Sequence, residues 1–162
     1  MSIDNNLYEK SIKILTDLIA FKTISGQDNS NLIDYCEKIL NNIGIDTFKV
    51  YDDDKKRVNL FGTLKAKNQS RKKPIILSGH TDVVPVSKGW SSDPFVATIK
   101  NDKLYGRGSC DMKGFIACTL AYAPIFKESN LDRDLHFCYT FDEETACTVS
   151  YTHLTLPTTR LV

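Results

Sequence analysis

The chain has 162 residues, 41% of them hydrophobic and 25% charged; this length suits one domain and excludes a large multidomain machine, and the composition supports a buried core and excludes wholesale disorder. Lys and Arg total 21 against 20 Asp and Glu, a formal charge of +1, so no global field recruits nucleic acid or an anionic membrane and partners must be sought in local sites. The five cysteines, Cys36, Cys110, Cys118, Cys138 and Cys147, form no CxxC pair, which argues against a disulfide framework and a cysteine zinc knuckle and fits a reducing cytoplasm.

Met1 to Asn6 carries an acid and amides where a secretory leader would be basic and then apolar. The longest mostly apolar stretch, Phe115 to Phe126, is 12 residues, well short of the roughly 20 that cross a bilayer. A cytoplasmic protein without a membrane partner is expected.

Tyr8, Ile12, Leu15 and Ile19 recur at helical steps, predicting a helix over about Asn6 to Phe21. Leu32, Cys36, Ile39, Leu40 and Ile43 form a second helical face, with Ser30 or Asn31 placed to cap its start and Gly44 to stop it. From Ile45 the period changes. Phe48 and Val50 alternate with polar residues, and Val58 to Lys65 repeats the pattern beyond the charged turn Asp52 to Arg57, so two strands are expected. After a polar surface loop from Lys65 to Lys73, the run Pro74-Ile-Ile-Leu-Ser-Gly suits a strand buried on both faces. Phe95 to Ile99 and Lys103 to Tyr105 flank Asn101-Asp102 as a hairpin. Met112 to Phe126 has helical spacing, with Pro124 expected to kink it or end it early. Leu135, Phe137, Tyr139 and Phe141 then alternate with polar residues in a strand that runs into Asp142-Glu143-Glu144. Strands alternating with helices make the class α/β, with a mixed, mostly parallel sheet flanked by helices.

Residues 149–162, VSYTHLTLPTTRLV, hold one charged residue, Arg160, and four threonines. This tail reads as adapter-derived sequence, the alternative being a natural Thr-rich strand, and residues 1–148 are taken as the domain proper.

Three places could carry chemistry. His80-Thr81-Asp82 sits at the carboxyl end of a strand, where open α/β sheets keep their sites, and Asp82 is spaced to reach the imidazole. The triplet suits a metal ligand with its orienting carboxylate, or a loop histidine capped by its neighbour. Asp111, in Gly106-Arg-Gly-Ser-Cys-Asp-Met-Lys-Gly114, lies at or just before a helix start, where an ordinary N-cap is the plain alternative. Asp142-Glu143-Glu144 crowds three acids that repel unless something positive sits among them. Successive side chains on an extended strand diverge, so one glutamate can bind metal while the other handles a proton; a solvated acidic turn is the alternative. One His, one Asp and one Glu from three strand ends form a nitrogen and oxygen donor set suited to zinc or a similar divalent ion.

SGHTDVVPV, GWSSDPF, KLYGRGSCDMKG and TFDEET, in that order, resemble the amidohydrolase family of acetylornithine deacetylase, succinyl-diaminopimelate desuccinylase, aminoacylase and related metallocarboxypeptidases. The resemblance covers residues 1 to 147. It implies that His80 binds one metal, Asp111 bridges two, Glu144 binds the other, Glu143 is the general base and Asp82 orients His80. It also implies two Zn2+ per complete site, with Co2+ as a substitute, a small N-acyl amino acid as substrate and a homodimeric full-length enzyme. Ser109-Cys110 and TFDEET are most similar to the acetylornithine deacetylase branch, so the expected reaction is deacetylation of N-acetylornithine to ornithine and acetate in arginine biosynthesis. Another N-acyl-amino-acid hydrolase, a succinyl-diaminopimelate desuccinylase, and a non-catalytic metal-binding fragment are the alternatives. The family pattern continues past Cys147 through a further carboxylate ligand, a lid or dimerisation domain and a late histidine. An incomplete, inactive catalytic domain is therefore expected, in which His153 and His136 are not ligands.

Overall fold

The computed structural model describes residues 5–67 and 72–146; the tail from Val149 and His153 lie outside the described residues. Helix α1 (Asn5–Ala20) forms where the apolar spacing predicts, but its most buried residues are Ile14, Leu18 and Ile19, while Tyr8 of the predicted face is exposed. Helix α2 (Ser30–Asn42) buries Leu32, Ile33, Cys36 and Leu40. Its start differs from expectation, because Asn29 holds the cap position and makes no side-chain cap bond. Asp28 does that work, its Oδ1 accepting the Ser30 N–H at 2.7 Å. The Asn29 amide is drawn away, donating to the Val58 carbonyl and to Thr81 Oγ1 at 2.9 Å each. Gly44 does close the helix: at φ +69° its N–H reaches the Asn41 carbonyl at 2.8 Å while that of Ile45 reaches Leu40 at 3.1 Å, the double closure a left-handed residue permits.

The strands are β1 (Asp46–Tyr51), β2 (Val58–Leu64), β3 (Ile75–His80), β4 (Thr98–Lys100), β5 (Lys103–Tyr105) and β6 (Leu135–Thr140). β4 and β5 form the expected hairpin, with Asn101 and Asp102 both at positive φ in its turn. The main sheet runs β1-β2-β6-β3. It is mixed, as expected, but among the described strands it is not mostly parallel: β1 with β2 and β2 with β6 are antiparallel, and only β3 with β6 is parallel. The short turn between β1 and β2 permits nothing else, since a parallel return needs a long crossover. β3 is also not buried on both faces. Among the described strands it lies at an edge of the sheet, and Ile75 and Ile76 are 48% and 40% exposed.

Leu60, Leu135, Phe137 and Tyr139 lie on one face of the sheet and meet Leu40, Ile116 and Leu120 in the core. Ile116 and Leu120 belong to α3 (Lys113–Glu128), which also packs on α1. Between α3 and β6, Thr119 Oγ1 and the Tyr139 hydroxyl share a hydrogen bond of 2.8 Å. Pro124 does not end this helix, which continues to Glu128; burial of Ile116, Leu120 and Ala123 around the proline offsets the roughly 3 kcal/mol that an internal proline costs. No described helix is long and apolar enough to cross a membrane.

The parallel pairing sets His80 opposite Thr140, bringing the carboxyl ends of β3 and β6 together in the place where α/β sheets hold ligands. The chain beyond β3 then runs beside the loop that follows α1: Val83 N–H donates to the Thr23 carbonyl and Ser25 N–H to the Val83 carbonyl, each at 3.0 Å. A single helical turn, α4 (Glu143–Ala146), follows β6.

Candidate metal centre

His80 leaves the end of β3 almost fully buried. Its Nδ1 lies 3.0 Å from the Asp82 backbone carbonyl and 3.4 Å from Asp82 Oδ1. A nitrogen facing two acceptors carries the proton, so the ring is oriented with Nε2 outward. Asp82 thus reaches the imidazole as the spacing predicts, with its main chain closer than its side chain. Nε2 stands 3.0 Å from Asp111 Oδ1 and 4.0 Å from Glu143 Oε2. One ligating atom from each of His80, Asp111 and Glu144 lies within 4.8 Å of the others. Residues far apart in the sequence therefore converge on one point.

Asp111 is not the N-cap of α3. Met112 holds that position, after a cis Asp111–Met112 peptide, and the Asp111 carboxylate is 74% exposed beside His80. Lys113, fully buried, anchors this stretch by donating from Nζ to the carbonyls of Leu18 at 2.9 Å and Phe21 at 2.7 Å. Burial pushes its pKa down to about 8. Glu143 and Glu144 do not diverge as strand neighbours, because both stand in the first turn of α4. Their backbone N–H groups donate to the two oxygens of Asp82, each at 3.2 Å. Asp82 also accepts the Ser25 hydroxyl at 2.7 Å. One buried carboxylate thus joins the histidine, the acidic turn and the loop after α1.

The electrostatics suit a cation. Burial opposes a charge on His80, but the Asp82 and Asp111 carboxylates outweigh it and hold the imidazole pKa up to about 9. Burial would also raise Asp82, yet hydrogen bonds from His80, Ser25 and the amides of 143 and 144 keep it below the ordinary aspartate range. Glu144 is raised, first by burial and then by the charge of Asp111, with His80 pulling the other way. A glutamate raised by burial and by a neighbouring carboxylate is relieved by a divalent ion, and the donor set of one nitrogen and two carboxylates fits such an ion.

Ser25, Arg57 and Lys113 went unmarked in the sequence. Lys113 alone left a signal, a charge among the apolar residues at a helix start. His136, expected not to be a ligand, is half-buried with Nδ1 3.0 Å from Thr63 Oγ1 and lies outside the His80, Asp111 and Glu144 group.

A model of the peptidase family M20/M25/M40 matches residues 76–155, a span that contains His80, Asp82, Asp111, Glu143 and Glu144. That stretch is similar to M20 peptidase sequence. Solved structures similar to this chain include an M20 family metallo-carboxypeptidase and a dinuclear metal binding peptidase from the M20 family. Among curated relatives, a succinyl-diaminopimelate desuccinylase from Rickettsia akari (strain Hartford) is 38% identical over 142 residues, covering 82% of this chain and 36% of the relative. An acetylornithine deacetylase from Myxococcus xanthus is 38% identical over 137 residues, covering 83% of this chain and 35% of the relative. The chain therefore spans about a third of the length of these relatives. Among solved structures, an M20 family metallo-carboxypeptidase from Sulfolobus solfataricus superposes with a TM-score of 0.79 at 23% identity, over 94% of this chain and 35% of that one. That likeness carries the fold.

Proposed function

We propose that this chain holds the metal ligands and the general base of an M20 amide hydrolase that converts N-acetylornithine to ornithine and acetate in arginine biosynthesis. The observation that carries the reading is the convergence of His80, Asp111 and Glu144 within 4.8 Å, with Glu143 beside them. In this reading His80, Asp111 and Glu144 hold zinc, with cobalt as a substitute, and Asp111 is the ligand shared by two ions. When bound, a divalent cation acidifies water and polarises the amide carbonyl. Glu143, 40% exposed on the open side of the cluster, removes a proton from the water that adds to the carbonyl carbon. It returns that proton to the amine nitrogen as the C–N bond breaks. Asp82 acts through His80, holding the Nδ1 proton so that Nε2 is free to ligate. Asp82 also fixes the amides of 143 and 144, so that the base Glu143 and the ligand Glu144 keep one spacing. The same reading makes the full-length protein a cytoplasmic homodimer acting on a small N-acyl amino acid.

A second reaction, removal of the succinyl group from N-succinyl-diaminopimelate, is favoured by the Rickettsia akari relative, which matches as well as the deacetylase does at 38%. The two share every role above and differ in the acyl group and amine accepted. Comparing kcat/KM for both substrates, in the zinc-loaded protein that carries this segment at its relatives' full length, decides between them. N-acetylornithine is expected to be preferred; preference for the succinyl substrate would replace the first reading by the second. Failure to cleave either would end both.

A further inference from the structure

Asp142, the residue between β6 and the acidic turn, has a φ of +60°, an uncommon region for any residue but glycine and one that Asp tolerates better than most. This left-handed residue sets the direction in which the chain leaves β6, and hence where Glu143 and Glu144 go. Its carboxylate is 12% exposed and is held by two other segments. Oδ1 accepts the Gly26 N–H at 3.1 Å, and Oδ2 accepts Nη1 of Arg57.

Arg57 is itself held firmly. Its Nε donates to Asp52 Oδ2 at 2.8 Å, its backbone N–H donates to Asp52 Oδ1 at 3.0 Å, and its guanidinium lies over the Phe141 ring at 5.2 Å. The planar fork of an arginine allows one side chain to engage Asp52 and Asp142 together while stacking on an aromatic ring. The acidic turn is thereby gripped from two sides, by Asp82 through its amides and by Arg57 through Asp142. We infer that Arg57 is a positioning residue: by pinning the Asp142 carboxylate it fixes the direction in which Glu143 and Glu144 enter the metal cluster. Its functional meaning rests on the proposed role of that cluster, while its structural consequence exists without metal. Removing the guanidinium leaves a mostly buried carboxylate held, among the described residues, by the Gly26 amide, and such an undercompensated charge drives local rearrangement.

The test uses amide hydrogen exchange by NMR on the metal-free chain, followed by zinc titration calorimetry on the same proteins. In Arg57→Met the amides of Glu143 and Glu144 are expected to exchange at least about tenfold faster, while those of Phe137 and Tyr139 in β6 keep their rates, because the opening is local. Arg57→Lys, which keeps a cation, should recover part of the protection. Asp52→Asn removes the support of Arg57 without touching Asp142. It should show the same pattern more weakly, and it carries the test if Arg57→Met does not fold. Zinc affinity should fall by about tenfold or more in Arg57→Met, the usual scale for losing a partner that orients a ligand. Unchanged exchange at 143 and 144, equal acceleration throughout β6, or unchanged zinc affinity would each overturn the inference. Absence of zinc binding in the unsubstituted chain would instead end the metal reading, and the exchange rates alone would then decide whether Arg57 positions the turn.

Discussion

Ser25 donates its hydroxyl to Asp82 Oδ2 at 2.7 Å across 57 positions of sequence. The loop after α1 therefore stabilises the negative charge that orients His80. A hydrogen bond to a buried carboxylate contributes about 1.5–3 kcal/mol. Ser25→Ala should lower unfolding free energy by about 1–2 kcal/mol and weaken zinc binding several-fold, since Asp82 loses one of the donors that fix it. Thermal denaturation and calorimetry read the two effects. A melting temperature and zinc affinity equal to those of the unsubstituted chain would show that this hydroxyl does not matter to Asp82.

Asp52 supplies a pH dependence whose sign can be worked out. Burial works against its charge, but bonds from the backbone and side chain of Arg57 and from the Lys56 backbone win, so its pKa in the folded chain lies below the ordinary 3.8. A depressed pKa means that the folded state binds its proton more weakly than the unfolded state. The stabilisation is thus complete above the unfolded value and is lost as pH falls through the folded one. Asp52→Asn should cost about 1 kcal/mol at pH 7, and the gap to the unsubstituted chain should close below about pH 4. Urea unfolding at a series of pH values measures this. A gap that persists unchanged at pH 3 would mean that the carboxylate charge is not the source.

The periodicities were sufficient for the helices, because α1 and α2 each bury one face and the solvent writes the other face in polar residues. They were insufficient for β3, where Ile75, Ile76 and Leu77 read as a doubly buried strand but stand at a sheet edge; a short apolar run says how greasy a segment is and nothing about its neighbours. The convergence of His80, Asp111 and Glu144 was legible because metal chemistry restricts residue type and the strand ends restrict place. Arg57 and Ser25 were not. An arginine in a charged turn and a serine in a loop are ordinary surface choices, and only the three-dimensional return of the chain to Asp142 and Asp82 distinguishes them. Glu143 and Glu144 were expected to diverge as on a strand. They sit on one helical turn because Asp142 turns left-handed and Asp82 accepts both following amides.

Under the proposed roles, Glu143→Ala and Glu144→Ala separate proton transfer from metal binding. In the full-length protein, Glu143→Ala should lose about 10²–10⁴-fold in kcat while retaining its zinc. Glu144→Ala should lose zinc as well as turnover. Metal content by atomic emission beside steady-state rates gives both numbers. If Glu143→Ala emptied the site and Glu144→Ala kept it full, the two assignments would have to be exchanged, an outcome to which the 4.0 Å approach of Glu143 Oε2 to His80 Nε2 gives a physical basis.

The 162-residue chain itself is expected to show no appreciable deacetylase activity, even with zinc or cobalt supplied. A catalytic zinc normally has three protein ligands, and among the described residues a single cluster of three, His80, Asp111 and Glu144, would have to serve the two ions of the proposed site. The cluster is also open: Asp111 is 74% exposed and Glu143 40%. Water at such a site screens the charges that a developing oxyanion would need. Zinc binding is nonetheless expected, because one imidazole and two carboxylates already converge, so binding without turnover is the specific outcome. Ornithine release from N-acetylornithine should be followed for the chain beside the full-length protein, with the Glu143→Ala form of each as a control for contaminating hydrolases. Turnover by the chain within about tenfold of full length, abolished by Glu143→Ala, would show that three ligands and an open face suffice and would overturn the argument from ligand completeness.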